Sequence, residues 1–147
     1  MRRLYNLHKD FNPTPYLTGD DFCFSELEYI HIDPRNPYVD SRRRSNAIIN
    51  KNTHTLLIGS SHTNIIPGDV SVIGYCACQG RHELTGHLEI PDNVKVVGNS
   101  AFATTGLTSV YVHKGCRSID RSAFFDASKI TSIVLEDGIG GIEDCAF

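Results

Sequence analysis

The sequence has no long apolar run and no strong excess of charge of either sign. No segment approaches the roughly 20 apolar residues that a membrane-spanning helix needs. The 14 lysines and arginines against 17 aspartates and glutamates leave a formal net charge of −3, whereas nucleic-acid binding needs a broad basic surface. The start, MRRLYNLHKDFNPTPYL, has polar residues where a signal peptide has an apolar stretch. We therefore expect no signal peptide in this chain, no membrane insertion and no binding to nucleic acid.

Cysteine is too scarce to form the framework of the fold. Five cysteines among 147 residues do not make a disulfide-dense scaffold, and an odd number leaves at least one thiol without a partner inside the chain. Because 40% of the residues are hydrophobic, a chain of this length can bury a core of ordinary size. We expect that core, and not disulfides, to hold the fold together.

One 13-residue pattern occurs four times. The segment IPGDVSVIGYCAC, which begins at Ile66, recurs as IPDNVKVVGNSAF, VHKGCRSIDRSAF and LEDGIGGIEDCAF. The later copies begin at Ile90, Val112 and Leu135, so successive copies are 24, 22 and 23 residues apart. A period of this length is typical of a solenoid. A less regular, earlier copy is expected to begin near Phe22.

The copies agree because apolar residues occupy the same positions in each. The aligned columns are Ile66, Ile90, Val112 and Leu135; Val70, Val94, Cys116 and Ile139; Ile73, Val97, Ile119 and Ile142; Ala77, Ala101, Ala123 and Ala146; and Cys78, Phe102, Phe124 and Phe147. One copy cannot bury these residues alone, but stacked copies bury them in a continuous core. Alternating stretches at residues 110–112 and 133–135 predict short parallel strands. We therefore predict a β-rich repeat solenoid with a parallel strand ladder, and with short turns or 3-10 segments on its convex side.

Residues 34–63 interrupt the repeat. Residues 46–49 and 55–58 flank a polar turn at Lys51 and Asn52, a pattern that predicts an inserted β-hairpin. The expected organisation is an irregular N-terminal segment over 1–21 and a solenoid over 22–147, with a truncated last copy. Since no coil would cover that last copy, we expect the chain to be a fragment of a longer solenoid and to self-associate through its open C-terminal end.

These repeats and the hairpin resemble the BspA-like family of leucine-rich repeat proteins, known mainly from surface proteins of host-associated bacteria and some protozoa. The resemblance rests on IPDNVKVVGNSAF and its copies, on LTGHLEIP, and on YVDSRRRSNAIINKNTHTLLIG, which is similar to a hairpin module of that family. Cys78 departs from the usual phenylalanine, and Arg81, Thr105 and Ala127 stand where many members have a cysteine. The resemblance implies a leucine-rich-repeat horseshoe at the cell surface or outside the cell, with no catalytic residues and no cofactor.

Two motifs invite a chemical interpretation that the repeat does not favour. His82 and His87 in HELTGH are five residues apart, about 140° around a helix, whereas the HExxH zinc motif needs both histidines on one helix face. The repeat also places His87 on a strand and His82 in the preceding loop. Cys76 and Cys78 form a CxC pair, but Cys78 lies in a core column, which favours a buried, reduced thiol over a metal site or a disulfide. A metal-dependent hydrolase using the His82 region is therefore a disfavoured alternative.

Polar residues around the start of the hairpin form a third candidate. Arg42, Arg43 and Arg44 are the only basic run, and the neighbouring Asp40 favours an exposed loop over contact with a nucleic acid or an anionic glycan. Asp33, Asn36 and Asp40 lack the ligand pattern of a calcium loop. Turn formation explains those three residues better.

The outward side chains of the strands supply the candidate binding site. A solenoid exposes one column of such residues along its concave face, and here the column comprises Tyr29, His31, His87, Glu89, Tyr111, His113 and Glu136. Tyrosine and histidine suit contact with a protein or a glycan, although ordinary solvated strand residues remain an alternative. We predict a noncatalytic, adhesin-like module for protein or glycan binding, with affinity that varies between about pH 5 and 8 through its histidines. The alternative is a structural spacer without a ligand of its own.

Overall fold

The computed structural model describes residues 3–13, 17–22 and 27–147, and it consists almost entirely of strands and turns. The strands are β1 (Arg3–Leu7), β2 (Leu27–Ile32), β3 (Val39–Asp40), β4 (Ala47–Asn50), β5 (Thr55–Gly59), β6 (Val72–Ile73), β7 (Thr85–Ile90), β8 (Val96–Val97), β9 (Gly106–Val112), β10 (Ser118–Ile119), β11 (Ser132–Leu135) and β12 (Gly141–Ile142). Two 3-10 helices span Gly19–Phe22 and Arg42–Arg44. Within these described ranges, no helix is long and apolar enough to cross a membrane. The earlier repeat copy expected near Phe22 lies partly outside them.

The repeats stack through two parallel ladders. The longer strands form a sheet in the order β7-β9-β11, and the two-residue strands β6, β8, β10 and β12 pair in sequence order. Each coil of the chain therefore lies on the coil before it, which confirms the predicted solenoid with a parallel strand ladder. The ladder of two-residue strands was not predicted, because the sequence predicts only turns or 3-10 segments at these positions.

The aligned apolar columns build the main core. The residues of the Ile66, Val70 and Ile73 columns are buried in the first three copies, and the column alanines are buried in all four. The Phe102 and Phe124 rings stack with centroids 5.3 Å apart, and the Phe124 and Phe147 rings stack at 5.1 Å. Cys78 occupies the same column and is fully buried. The predicted core positions are thus confirmed as stacked rows of like side chains.

A backbone feature repeated in every coil explains the alanine column. The residue before each column alanine has a left-handed backbone, with φ between 53° and 57° at Cys76, Ser100, Ser122 and Cys145. The residue directly after each column alanine donates its backbone N–H to the carbonyl oxygen of the column alanine in the following coil. Examples are Phe102 N–H to Ala123 O at 2.7 Å and Phe124 N–H to Ala146 O at 2.7 Å. Coils held this closely leave little room for a side chain larger than alanine.

The hairpin continues the ladder of short strands. β4 pairs antiparallel with β3 and β5, and β5 pairs parallel with β6, which gives a seven-stranded sheet in the order β12-β10-β8-β6-β5-β4-β3. Ile49 and Leu56 point into the main core, whereas Ile48 and Ile58 pack in a second cluster with residues of β1 and β2. The hairpin therefore joins the repeats to the N-terminal strands.

The N-terminal segment differs from the irregular structure that the sequence predicts for residues 1–21. Arg3–Leu7 forms β1, which pairs parallel with β2, and Leu7 is buried in the second cluster. Gly19 lies so close to the first repeat that a Cβ atom there would stand 1.7 Å from the Cys76 carbonyl oxygen. The expectation was wrong for β1 because five residues with only one buried apolar side chain carry too little pattern to indicate a strand.

The last coil is the least covered part of the core. β11 and β12 are edge strands, and Ile142 and Phe147 are 50% and 42% exposed, whereas Ile119 and Phe124 of the coil before are buried. Exposed apolar side chains on an edge strand favour association with another chain. Self-association through this end remains a prediction.

The phenylalanine stack provides a test of the core with a matched control. Phe124→Ala should lower the free energy of unfolding by about 3–5 kcal/mol, because the ring is buried between two other rings and its loss leaves a cavity. The adjacent Phe125 is 53% exposed, so Phe125→Ala should change stability by no more than about 0.5 kcal/mol. Denaturant unfolding measures both, and equal losses for the two variants would contradict the stacked core.

Candidate functional site

The structure brings five of the seven predicted site residues together and keeps two apart. His87, Glu89 and Tyr111 lie on the sheet β7-β9-β11, with His113 and Glu136 directly after β9 and β11. Tyr29 and His31 lie on β2, which pairs with β1 and with no strand of that sheet. The predicted continuous column is therefore divided into two surfaces.

The division arises at residues 60–66, which align with residues 84–90 of the next copy but form no strand. The Thr63 hydroxyl accepts the Ser60 N–H at 2.8 Å and donates to the Asn46 carbonyl oxygen at 2.8 Å. Side-chain hydrogen bonds of serine and threonine to nearby backbone compete with strand pairing. A turn thus replaces the strand that would have joined β2 to β7.

On the larger surface, which we call the strand face (His87, Glu89, Tyr111, His113 and Glu136), one histidine bridges two carboxylates. His113 Nε2 lies 2.5 Å from Glu89 Oε1, and His113 Nδ1 lies 3.3 Å from Glu136 Oε1. The hydrogen bond with Glu89, supported by the negative charge of Glu136, raises the pKa of His113 above its ordinary value. The imidazolium form therefore links side chains from three successive coils.

Glu136 is held in place by two further donors. The Lys114 backbone N–H donates to Glu136 Oε2 at 2.9 Å, and the Tyr111 hydroxyl donates to Glu136 Oε1 at 2.8 Å. Both bonds lower the pKa of Glu136, and the bond from the Lys114 backbone makes the larger contribution. The bond to Glu136 also raises the pKa of Tyr111. The Tyr111 and His113 rings also pack at 4.8 Å. The side chains at this end of the strand face are consequently ordered by one another.

The other end of the strand face carries a smaller contact. His87 Nδ1 lies 2.7 Å from Ser109 Oγ, across the β7-β9 pair in which these two residues are in register. The imidazole remains exposed. Polar side chains thus form one row of cross-strand contacts from β7 to the end of β11.

Three residues around this row could hold a divalent cation. Asp92, His113 and Glu136 each place one ligand atom within 4.8 Å of the others, and a donor set of one imidazole and two carboxylates is common at such ions. Both ring nitrogens of His113 already face carboxylates, so the ion would have to displace the proton of the imidazolium. The arrangement therefore favours the histidine bridge, and the expectation of no metal stays a prediction.

The chemical motifs weighed in the sequence lie where the repeat predicts. His82 is in an exposed turn and His87 is on β7, so HELTGH does not lie on a helix. Cys76, Cys78 and Cys116 are buried, and Cys78 and Cys116 are free thiols, whereas Cys23 lies outside the described residues. Arg81, noted above only because many family members have a cysteine there, is fully buried and donates from Nε to the Gly59 carbonyl oxygen at 3.0 Å. Arg81 therefore helps to tie the repeats to the hairpin.

The histidine bridge predicts a pH-dependent contribution to stability. Because His113 has a folded pKa above its ordinary 6.5, its pairing stabilises the folded protein fully below that value and is lost as the pH rises through the folded pKa. His113→Asn should therefore cost the most stability near pH 6 and little near about pH 9. Denaturant unfolding across this range measures the difference. His82→Asn, at an exposed turn, is the control and should show no such trend; a loss for His113→Asn that is constant with pH would contradict the bridge.

The buried thiols predict a pattern of alkylation. Burial raises the pKa of Cys78 to about 12 and also raises that of Cys116, whereas Cys145 is exposed. Since the thiolate is the reactive form, iodoacetamide should modify Cys145 in the native protein and the other two only after unfolding. Peptide mapping by mass spectrometry distinguishes the sites, and rapid native labelling of Cys78 would contradict its core position.

Two solved structures are similar to this chain. The crystal structure of the pneumococcal vaccine antigen PcpA superposes with a TM-score of 0.66 at 15% identity, over 93% of this chain and 40% of that one. A leucine-rich repeat protein from Eubacterium ventriosum matches with a TM-score of 0.44 at 15% identity, over 98% of this chain and 57% of that one. The chain thus spans less than two thirds of either protein. At such identity the PcpA likeness shows the fold alone.

Comparison at the level of sequence identifies the family. A search of curated proteins found no match. The family model of the BspA type leucine rich repeat region matches residues 58–147 in 6 copies, which is more than half of the 147 residues and includes all four copies of the repeat described above. Members of this family are repeat proteins that are typically surface-associated and generally noncatalytic. The chain belongs to the BspA-type leucine-rich repeat family.

Proposed function

We propose that this chain is a noncatalytic module that binds a protein or a glycan, in an adhesin-like role at the cell surface. The observation that carries the proposal is the strand face, where exposed and half-buried histidine, tyrosine and glutamate side chains from successive coils are fixed by hydrogen bonds across the strands. The family supports the proposal, since its repeats commonly mediate protein binding or adhesion.

The order within the strand face favours binding. Side chains that are already held in one conformation lose little conformational entropy when a partner covers them. Tyr111 and His113 offer ring surface together with a polar tip, a combination that is frequent at energetically important interface positions. Glu89 and His87 extend the same surface onto the neighbouring coil. A partner would therefore contact several coils at once through many small contributions.

A structural spacer is the second candidate, because the same stacked coils can extend a larger protein without a ligand. The ladders and the buried columns are equally consistent with that role. The two candidates differ in one observable, since only a binding module has a saturable partner whose affinity depends on the strand face.

The test measures saturable binding of the whole chain to purified extracellular-matrix proteins and to a glycan array. His87→Ala combined with Tyr111→Ala should weaken binding by about tenfold or more, as expected for central contact residues. Lys129→Ala, at an exposed turn away from the strand face, is the control and should leave binding unchanged. Binding that survives the double substitution would exclude the strand face as the site, and the absence of any saturable ligand would favour the spacer.

A further inference from the structure

The second part of the divided column borders a groove of a different chemical character. An open groove of about 450 Å³ runs beside β2 where the hairpin begins. Its polar and aromatic lining consists of Tyr29, His31, Ser41, Arg44, Asn46 and His62, and the remaining lining residues are aliphatic. Among the residues that the structure describes, none that lines the groove is acidic. The described lining thus combines one permanent cation and two imidazoles without a carboxylate.

The three consecutive arginines have different environments. Arg42 pairs with Asp40 through Nε at 2.7 Å and with Asp69 through an NH1 contact of 2.8 Å, so its charge is used within the fold. Arg44 is exposed and lines the groove, and no carboxylate of the described residues forms an ion pair with it. The arginine at the groove is therefore available for an anion from outside the chain.

The walls of the groove are fixed by a network around Asn46. Asn46 Oδ1 accepts the Ile30 N–H at 2.8 Å, and Asn46 Nδ2 donates to Ser60 Oγ at 2.8 Å and to the Glu28 carbonyl oxygen. These bonds tie β2 to the start of the hairpin and to the turn that follows it. Arg44 thus lies two residues before Asn46, whose side chain is anchored to β2 on one side and to the turn at Ser60 on the other.

A stacked pair of rings forms one side of the groove. The Tyr29 and His62 rings lie 5.0 Å apart and 14° from parallel, and His62 Nδ1 lies 3.1 Å from the Glu28 carbonyl oxygen. Flat ring surfaces pack against the C–H face of a sugar ring, and a guanidinium pairs well with a carboxylate or a sulfate. Both features border the same groove, whose size lies within the range of small-ligand sites.

We propose that this groove binds an acidic glycan, with Arg44 pairing with a carboxylate or sulfate group and the Tyr29–His62 pair packing against the sugar that carries it. Acidic peptides are commonly recognised by several basic side chains together, whereas here Arg42 is occupied by Asp40 and Asp69. The proposal rests on the proposed function as a binding module, and it names a ligand class for a site separate from the strand face.

The test uses defined probes with the whole chain. We expect calorimetric titration to show binding of 3′-sialyllactose or of a heparin-derived tetrasaccharide. The first probe tests recognition of a carboxylate and the second tests recognition of a sulfate. Neutral lactose should not bind. Arg44→Gln should weaken that binding by about tenfold or more, as the loss of a charge-assisted hydrogen bond implies. Arg117→Gln, at an exposed arginine outside the groove, is the control and should have no effect. Tyr29→Phe should retain binding that Tyr29→Ala loses.

Four outcomes would overturn the proposal, and three of them concern binding that is observed but has the wrong character. These are lactose binding as tight as that of the acidic sugars, binding unaffected by Arg44→Gln, and Arg44-dependent binding of hexaglutamate that is tighter than either glycan. Failure of both acidic glycans to bind would also reject the groove, without touching the proposed function. The strand face is tested separately by its own double substitution, which should leave groove binding intact.

Discussion

The structure depends on one constraint, which is that the backbone of each coil must hydrogen-bond to the coil before it. The same bond recurs at a fixed position, from Gly98 N–H to Ile73 O, from Asp120 N–H to Val97 O and from Glu143 N–H to Ile119 O, at 2.8 to 2.9 Å. Because every coil repeats this contact, equivalent residues lie directly over one another. Each apolar column is thus buried by its neighbours, and each outward position forms a row on the surface.

The same constraint explains where the surface changes. Residues 60–66 keep the spacing of the repeat but form no strand. The Ser60 N–H donates to the Thr63 hydroxyl, and the Ser61 N–H donates to the Leu27 carbonyl oxygen of β2. The row of outward residues is interrupted at that coil. β2 is left with β1 on one side and a groove on the other, while the strand face begins anew at β7.

The sequence was sufficient to predict the features that depend on regular spacing. The period near 23 residues gave the stacking of Phe102 on Phe124, and the polar turn between two apolar runs gave β4 and β5. Contacts between residues distant in sequence have no such signal. Arg81 meets the Gly59 carbonyl oxygen only because the hairpin ends beside that coil. For the same reason, the sequence placed Tyr29 and His31 in one column with His87, although the turn at residues 60–66 separates them.

The two surfaces also differ in how their charges are satisfied, and this difference bears on the kind of ligand that each can accept. On the strand face, the His113 imidazolium is already paired with the carboxylates of Glu89 and Glu136, so a partner meets an ordered surface on which one carboxylate charge is in excess. In the groove, Arg44 has no such internal partner among the residues described. An anion bound in the groove would form an ion pair with Arg44 without breaking an ion pair within the fold. The division of the column thus gives a single small chain two chemically distinct surfaces.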